Sequence, residues 1–305
     1  MQKAPPTPKG FRDISPDLAK KRREIINQIV EVLEDFGFVP IETPTIEFAD
    51  TLKGKYGEEE RLIYEFKDRG GRDLALRYDL TVPLARYVAT YNPPLPFRRY
   101  QIGQVFRGEN PQHGRYREFT QLDFDTVGSK DPKEDSNVIS AAIKSVKQLG
   151  LNSLTMHIND RDLFVGIETK HMIVIDKLHK IGTEAVLKEL TQRGLTEEEA
   201  GKILEDITKN KPSAILTQIF SNLRDLGLEK TKDFEFDPTL VRGLDYYTGP
   251  IFELVDSKNP SMSFGGGGRY DNLIGMFSKP PAGGQVPAVG FSFGLDRLIE
   301  SLGEN

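Results

Sequence analysis

Apolar residues recur at two different periods along this chain, and the change of period outlines its organisation. Ile25, Ile26, Ile29, Val30, Leu33 and Phe36 fall at helical spacing. Ser15 before Pro16 supplies an N-cap and a first-turn proline, and Gly37 supplies the stop, so a helix is expected between them. Residues 38–46 read as extended. Pro40 and Pro44 suit an edge or subunit-interface strand there, because proline donates no ladder hydrogen bond. Alternation predicts strands over 74–78, 97–106, 115–127, 153–158 and 251–255, with an amphipathic helix over 133–149.

From about 160 to 230 the period turns helical. Ile173, Leu178 and Ile181 are followed by Val186, Leu187 and Leu190. Thr196 with Glu199 forms a capping box ahead of Ile203, Leu204 and Ile207. Ile215, Ile219, Phe220 and Leu223 continue the pattern. Strand signals resume after Phe234, and the chain ends with a strand over 288–291 and a helix over 295–302. Hairpin-paired strands with segregated helices predict an α+β fold, an antiparallel β-sheet flanked by helices, rather than a doubly wound parallel sheet. The expected division is one core in two parts, 1–160 and 233–305, with a helical insertion over 161–232.

Composition narrows the chemistry. With 305 residues, 37% hydrophobic and 29% charged, the chain can bury a sizeable core. A net charge of −5 gives no global basic field, so any nucleic-acid contact must come from a local patch. The chain has no cysteine, which excludes disulfides, thiolate catalysis and zinc–sulfur sites. His113, His157, His171 and His179 are scattered and form no metal-binding pattern; His113 reads as a polar loop side chain. The N-terminal segment has no apolar signal core, and no apolar run approaches the roughly 18 residues that span a bilayer. The expectation is a soluble cytoplasmic protein.

Five segments carry the candidate chemistry. The densest is Phe106-Arg107-Gly108-Glu109-Asn110-Pro111-Gln112-His113-Gly114-Arg115-Tyr116-Arg117-Glu118-Phe119, where arginines surround a turn-rich loop. Arginine forks match phosphate and carboxylate oxygens, so this hairpin reads as a polyphosphate clamp. Strand parity puts Arg115, Arg117, Phe119, Gln121, Asp123 and Asp125 on one face of the returning strand. Arg99, Gln101, Gly103, Val105 and Arg107 share a face of the outgoing one. Gln121 and Asp125 stand about 13 Å apart at about 3.3 Å per residue. The surface therefore grades from cationic at the loop to amide and carboxylate deeper in. A salt-bridged, solvated strand face is the alternative.

The other four segments are weaker alone. Asp79 and Thr81 could hold an ammonium group, or one of them could cap the helix that follows. Val241-Arg242-Gly243-Leu244-Asp245-Tyr246-Tyr247 sets an arginine beside paired tyrosines. Phe264-Gly265-Gly266-Gly267-Gly268-Arg269-Tyr270-Asp271 lacks dinucleotide spacing and reads either as a close-approach surface or as a flexible turn. In Gly290-Phe291-Ser292-Phe293-Gly294-Leu295-Asp296-Arg297, Arg297 lies in a first helical turn, where it opposes the macrodipole and needs an anionic or aromatic partner, or a salt bridge to Asp296.

In this order, the five segments closely resemble the catalytic domain of the histidyl-tRNA synthetases, a branch of the class II aminoacyl-tRNA synthetases. The resemblance covers essentially the whole chain. Residues 38–46 are similar to the family's motif 1 at the dimer interface, 106–125 to motif 2, and 290–298 to motif 3. Arg242 to Tyr247 and Gly266 to Asp271 are similar to the two histidine-specific signatures.

The resemblance implies a class II synthetase-like fold, ATP as substrate with Mg2+ on its phosphates, and histidyl-adenylate formation followed by transfer to tRNA(His). It implies that Asp79, Thr81 and Gln121 hold the histidine ammonium, and that Asp125 and Tyr247 read the imidazole with Tyr246 beside them. Arg107 would bridge carboxylate and α-phosphate, with Glu109 near adenine and Arg115 and Arg297 toward the outer phosphates. Arg242 would be the catalytic group that orients carboxylate against phosphorus. It further implies a homodimer, and an insertion facing the tRNA acceptor stem. Asp79 and Asp125 stand where many members carry glutamate. No counterpart of the family's C-terminal anticodon-binding domain follows motif 3, so an excised catalytic domain or a short paralogue is expected. The competing reading is a histidine-sensing regulatory subunit of a short-form ATP phosphoribosyltransferase, which would not need the ATP-clamping arginines.

Overall fold

The computed structural model describes residues 5–112, 114–242, 246–257, 259–277 and 284–302. His113 and the Gly243-Leu244-Asp245 part of the arginine–tyrosine segment lie outside the described residues. Helix α1 (Pro16–Asp35) starts as its sequence predicts, with the Ser15 hydroxyl accepting from the Leu18 N–H. It leads to β1 (Val39–Pro40), β2 (Ile46–Phe48), the single turn α2 (Ala49–Leu52), β3 (Glu65–Lys67) and β4 (Asp73–Leu76). Helix α3 (Thr81–Tyr91) precedes the long hairpin of β5 (Phe97–Phe106) and β6 (Glu118–Val127). Then come α4 (Pro132–Gln148), β7 (Leu154–Asp160), α5 (Thr169–Ile175), α6 (Leu178–Gln192), α7 (Glu197–Thr208) and α8 (Ala214–Asp225). The strands β8 (Phe234–Phe236), β9 (Pro250–Asp256), β10 (Asn259–Arg269) and β11 (Ala288–Gly294) follow, and β11 runs directly into α9 (Leu295–Ser301).

The main sheet has the order β1-β5-β6-β11-β10-β9-β7-β8. Its interior pairings are antiparallel, and only the outer pairs β1–β5 and β7–β8 are parallel. The expected α+β class is therefore observed. The segment 38–46 splits in two, however. Val39–Pro40 forms an edge of the main sheet, where Pro40 needs no donor partner, while Ile46–Phe48 pairs with β4 in a separate three-stranded sheet.

Alternation on β6 and β11 explains the layering. Leu122 and Phe124, with Val289, Phe291 and Phe293, join the largest apolar cluster, together with Ile25, Ile29 and Leu33 of α1 and Val138, Ile139, Ala142 and Ile143 of α4. Gln121, Asp123 and Asp125 alternate with them and lie on the opposite face. Helices α5 to α7 bury Val174, Ile175, Val186, Leu190, Leu204 and Ile207 in a cluster of their own, which also takes Val241. Helix α8 belongs elsewhere: its Leu216, Ile219, Phe220 and Leu223 join the main core against α4.

Candidate active site

On the polar face of the main sheet lies a cavity of about 390 Å³. Asp79, Thr81, Arg107, Glu109, Arg115, Gln121, Asp125, Arg242, Tyr246, Tyr247 and Arg297 all line it, so the residues chosen from the sequence converge on one site. Hairpin register explains part of this. Arg99 faces Asp125, Gln101 faces Asp123 and Gly103 faces Gln121, each pair pointing to the same side of the sheet.

At the cationic end, Arg107 leaves the tip of β5. Its guanidinium lies 4.3 Å from the ring centre of Tyr78 and 5.1 Å from that of Phe119, and its Nε donates to the Tyr78 carbonyl at 3.2 Å. This arrangement fixes the fork in place. Arg115 pairs with Glu109 at 2.6 Å. The expected run of parity from Arg115 to Asp125 breaks, because β6 begins only at Glu118. Arg117 turns out of the cavity: its backbone N–H bonds the Gly10 carbonyl at 2.8 Å and its Nε bonds the Glu109 carbonyl at 2.9 Å. It braces the loop instead.

Arg297 donates to the Ser263 carbonyl. Asp296 is not its partner, since that carboxylate accepts from Arg12, Arg22 and the Thr120 N–H. Burial lowers the pKa of Arg297, and neighbouring Arg115 lowers it further. Two guanidinium groups thus approach each other in a cleft, an arrangement that favours an anion between them.

At the other end, the two oxygens of Asp79 divide: one is used within the fold and the other is left open. Its Oδ1 accepts from the Val82 N–H and the Tyr56 hydroxyl, both at 3.0 Å, and so caps the start of α3. Its Oδ2 is buried and unpartnered, as is Gln121 Oε1. Both side chains are almost fully enclosed, at 4% and 8% exposure. A buried acceptor without a donor costs about 1–3 kcal/mol, so two of them lining one cavity define a place for a multi-donor group. Thr81 hydrogen-bonds Tyr246 beside them.

Asp125 is also buried. Tyr270 donates to its Oδ1, and Arg99 lies 2.7 Å from Oδ2 in an ion pair off the hydrogen-bond line. Burial raises its pKa, and Arg99 opposes the rise. Asp123, two residues away, accepts from Ser292 and is pushed up to about 7, mainly by burial. Gly290 stands where a Cβ would overlap the Asp125 carboxylate. The glycine run 265–268 is not a flexible turn. It is extended within β10, and Gly266 leaves the space that the Arg242 guanidinium occupies. Arg242 also pairs with Glu253 at 3.3 Å and donates to Tyr247.

One cluster along the cavity wall had no sequence signature. Asp237 Oδ2 accepts from His157 Nδ1 of β7 at 2.9 Å and from His179 Nε2 of α6 at 3.0 Å. These bonds hold the Asp237 carboxyl far below the usual range, despite burial that opposes them, and Asp237 raises His179. Asp237 Oδ1 accepts from the Thr239 N–H at 2.9 Å. The cluster therefore anchors the segment that delivers Arg242. Residues 157, 179 and 237 are too far apart in sequence for any spacing rule to join them.

Comparison with known proteins agrees with this geometry. A family model described as histidyl-tRNA synthetase matches residues 10–211 and 174–298. The chain is 44% identical to the histidine–tRNA ligase of Aeropyrum pernix, over 97% of this chain and 74% of that protein. It is 42% identical to that of Nanoarchaeum equitans, over 96% and 73%. Among solved structures, histidyl-tRNA synthetase from Nostoc sp. superposes with a TM-score of 0.82 at 29% identity, covering 98% of this chain and 75% of that one. A Bacillus halodurans protein titled as an ATP phosphoribosyltransferase regulatory subunit/histidyl-tRNA synthetase gives 0.81 at 25% identity, covering 99% and 84%. By its motifs, its cavity and these relatives, the chain belongs to the histidyl-tRNA synthetase family.

Proposed function

We propose that the chain activates L-histidine with ATP and passes the histidyl group to tRNA(His). The observation that carries this reading is the pair of unpartnered buried acceptors, Asp79 Oδ2 and Gln121 Oε1, in the same cavity as Arg107, Arg115, Arg242 and Arg297. An amino acid supplies both an ammonium for the acceptors and a carboxylate for the cations, and ATP supplies the phosphates. Asp125, with Tyr247 close by, recognises the imidazole. Arg107 and Arg242 draw the carboxylate and the α-phosphate together. Attack of a carboxylate oxygen on phosphorus expels pyrophosphate, and the developing charge falls on oxygens that preplaced guanidinium groups already face. Arg115 and Arg297 take the outer phosphates, and Glu109 lies toward the adenine.

Mg2+ enters this scheme bound to the phosphate oxygens of the nucleotide substrate. Among the described residues no set of three His, Asp or Glu side chains is placed to hold an ion unaided. The regulatory reading is disfavoured because all four arginines are kept and line the cavity.

The helical insertion expected over 161–232 would meet the tRNA acceptor stem through α5 to α7, whose own core reaches Val241, next to Arg242. A homodimer is supported by Ile46, Phe48 and Phe66, which are 45%, 57% and 41% exposed and share the outer face of the small sheet. A cytoplasmic location belongs to the same reading; among the described residues no helix is long and apolar enough to cross a membrane. Histidine-dependent ATP–pyrophosphate exchange is the test, followed by charging of tRNA(His). Folded, dimeric protein that gives no exchange above background would overturn the proposal.

A further inference from the structure

We propose that Ser292 and Asp123 are positioning residues: they hold the Gln121 amide with its oxygen toward the cavity, and so select a substrate that carries an ammonium group. The inference rests on the reading of Gln121 as an ammonium holder given above. Gln121 Nε2 donates to Ser292 Oγ at 2.8 Å, and Ser292 Oγ donates in turn to Asp123 Oδ1. Register makes the chain possible, because Ser292 lies directly across from Asp123, and Gly294 from Gln121, on adjacent antiparallel strands.

A hydroxyl has a single proton. Once Ser292 gives it to Asp123, only a donor can satisfy its lone pair from the other side, which fixes the amide nitrogen there. Gln121 Oε1 is then turned away, and it is the buried oxygen without a partner. A flipped amide would instead aim N–H groups at the ligand, and two donors face to face repel. Asp79 Oδ2 is the second free acceptor lining the cavity, so the site as set demands several donors from one group.

Asp123 is faced by Arg99 and Gln101 from β5, by Asp125 on its own strand, and by Arg77, Asp79 and Tyr247 from flanking segments. Burial lifts it to about 7, with Arg99 opposing. Above that value the carboxylate accepts from Ser292. Below it the protonated acid can donate back and release the constraint.

The test is steady-state exchange at about pH 8, where Asp123 is ionised. Ser292→Ala should raise the KM for L-histidine about tenfold with the KM for ATP unchanged. Inhibition by imidazole-4-propionate, which has no ammonium, should shift less than about twofold. Ser292→Thr keeps the hydroxyl and should restore histidine binding. At about pH 6 the gap between the unmodified chain and Ser292→Ala should narrow. An unchanged histidine KM in Ser292→Ala, or equal weakening of histidine and imidazole-4-propionate, overturns the inference while leaving the activity intact. Absence of histidine-dependent exchange in the unmodified chain overturns the functional reading itself.

Discussion

Arg99, completely buried, forms a 2.7 Å ion pair with Asp125, whose side chain lines the floor of the cavity. The pair joins two needs of the site. Under the proposed function Asp125 would be anionic to accept from an imidazole N–H, yet its burial disfavours charge, and Arg99 supplies the compensation from the neighbouring strand. Removing the cation alone strands a buried carboxylate, which typically costs about 3–5 kcal/mol. Arg99→Met should therefore lower the urea midpoint strongly, and Arg99→Met with Asp125→Asn should recover part of the loss. A double variant no more stable than the single one would show that the pairing is not what holds this floor together.

Arg242 is held over Gly266, where any Cβ would collide with its guanidinium. Gly266→Ala should thus mimic loss of Arg242 without touching it. Arg242→Ala should reduce ATP–pyrophosphate exchange about 10³-fold, equivalent to about 4 kcal/mol of transition-state stabilisation, with circular dichroism unchanged. Gly266→Ala should lose about tenfold or more in the same assay. Full activity in Gly266→Ala would refute the cradle.

The bonds from Asp237 to His157 and His179 tie α6 to the segment before Arg242. His179 has its pKa raised in the folded protein, so its contribution is fully present below its unfolded value of about 6.5 and is lost as pH rises through the folded value. Asp237 is depressed, so its contribution is present above about 3.8 and is lost only in strong acid. The tie is then strongest between about pH 4 and 6.5. Amide exchange in α6, corrected for intrinsic rates, should be slower at about pH 6 than at about pH 8.5. Asp237→Asn should erase that difference; if the variant keeps it, another group sets it.

The outer face of the small sheet presents Phe48 and Phe66, each opposite Leu74. Phe48→Asp with Phe66→Asp should convert a dimer to monomers in sedimentation velocity. These side chains are about half exposed in the single chain, so the unfolding free energy of the monomer's own core should stay within about 0.5 kcal/mol. A dimer that survives both changes would place the interface elsewhere.

The sequence alone determined the elements and most of the site's membership. Helix α1 announced itself through Ser15, Pro16 and Gly37, and parity on β6 separated Gln121, Asp123 and Asp125 from Leu122 and Phe124. Both signals are local, set by backbone period and capping chemistry. Parity failed where the strand did. Arg117 lies beyond the strand, which begins at Glu118: its carbonyl still accepts from the Arg107 N–H, but its own N–H bonds Gly10, more than a hundred residues earlier.

Tertiary structure decided what each side chain meets. The glycine run lies in a strand, where Gly266 leaves room for Arg242 on one face and Gly265 for Phe291 on the other. Asp79 caps a helix with one oxygen and leaves the other buried without a partner. Helix α8, continuous in period with the insertion, joined the main core because its apolar stripe found α4. The His157–Asp237–His179 node and the Gln121–Ser292–Asp123 chain exist only because distant segments adjoin. Hydrophobic period is written in neighbouring residues, whereas hydrogen-bond partners and charge compensation depend on contacts that only the folded chain creates.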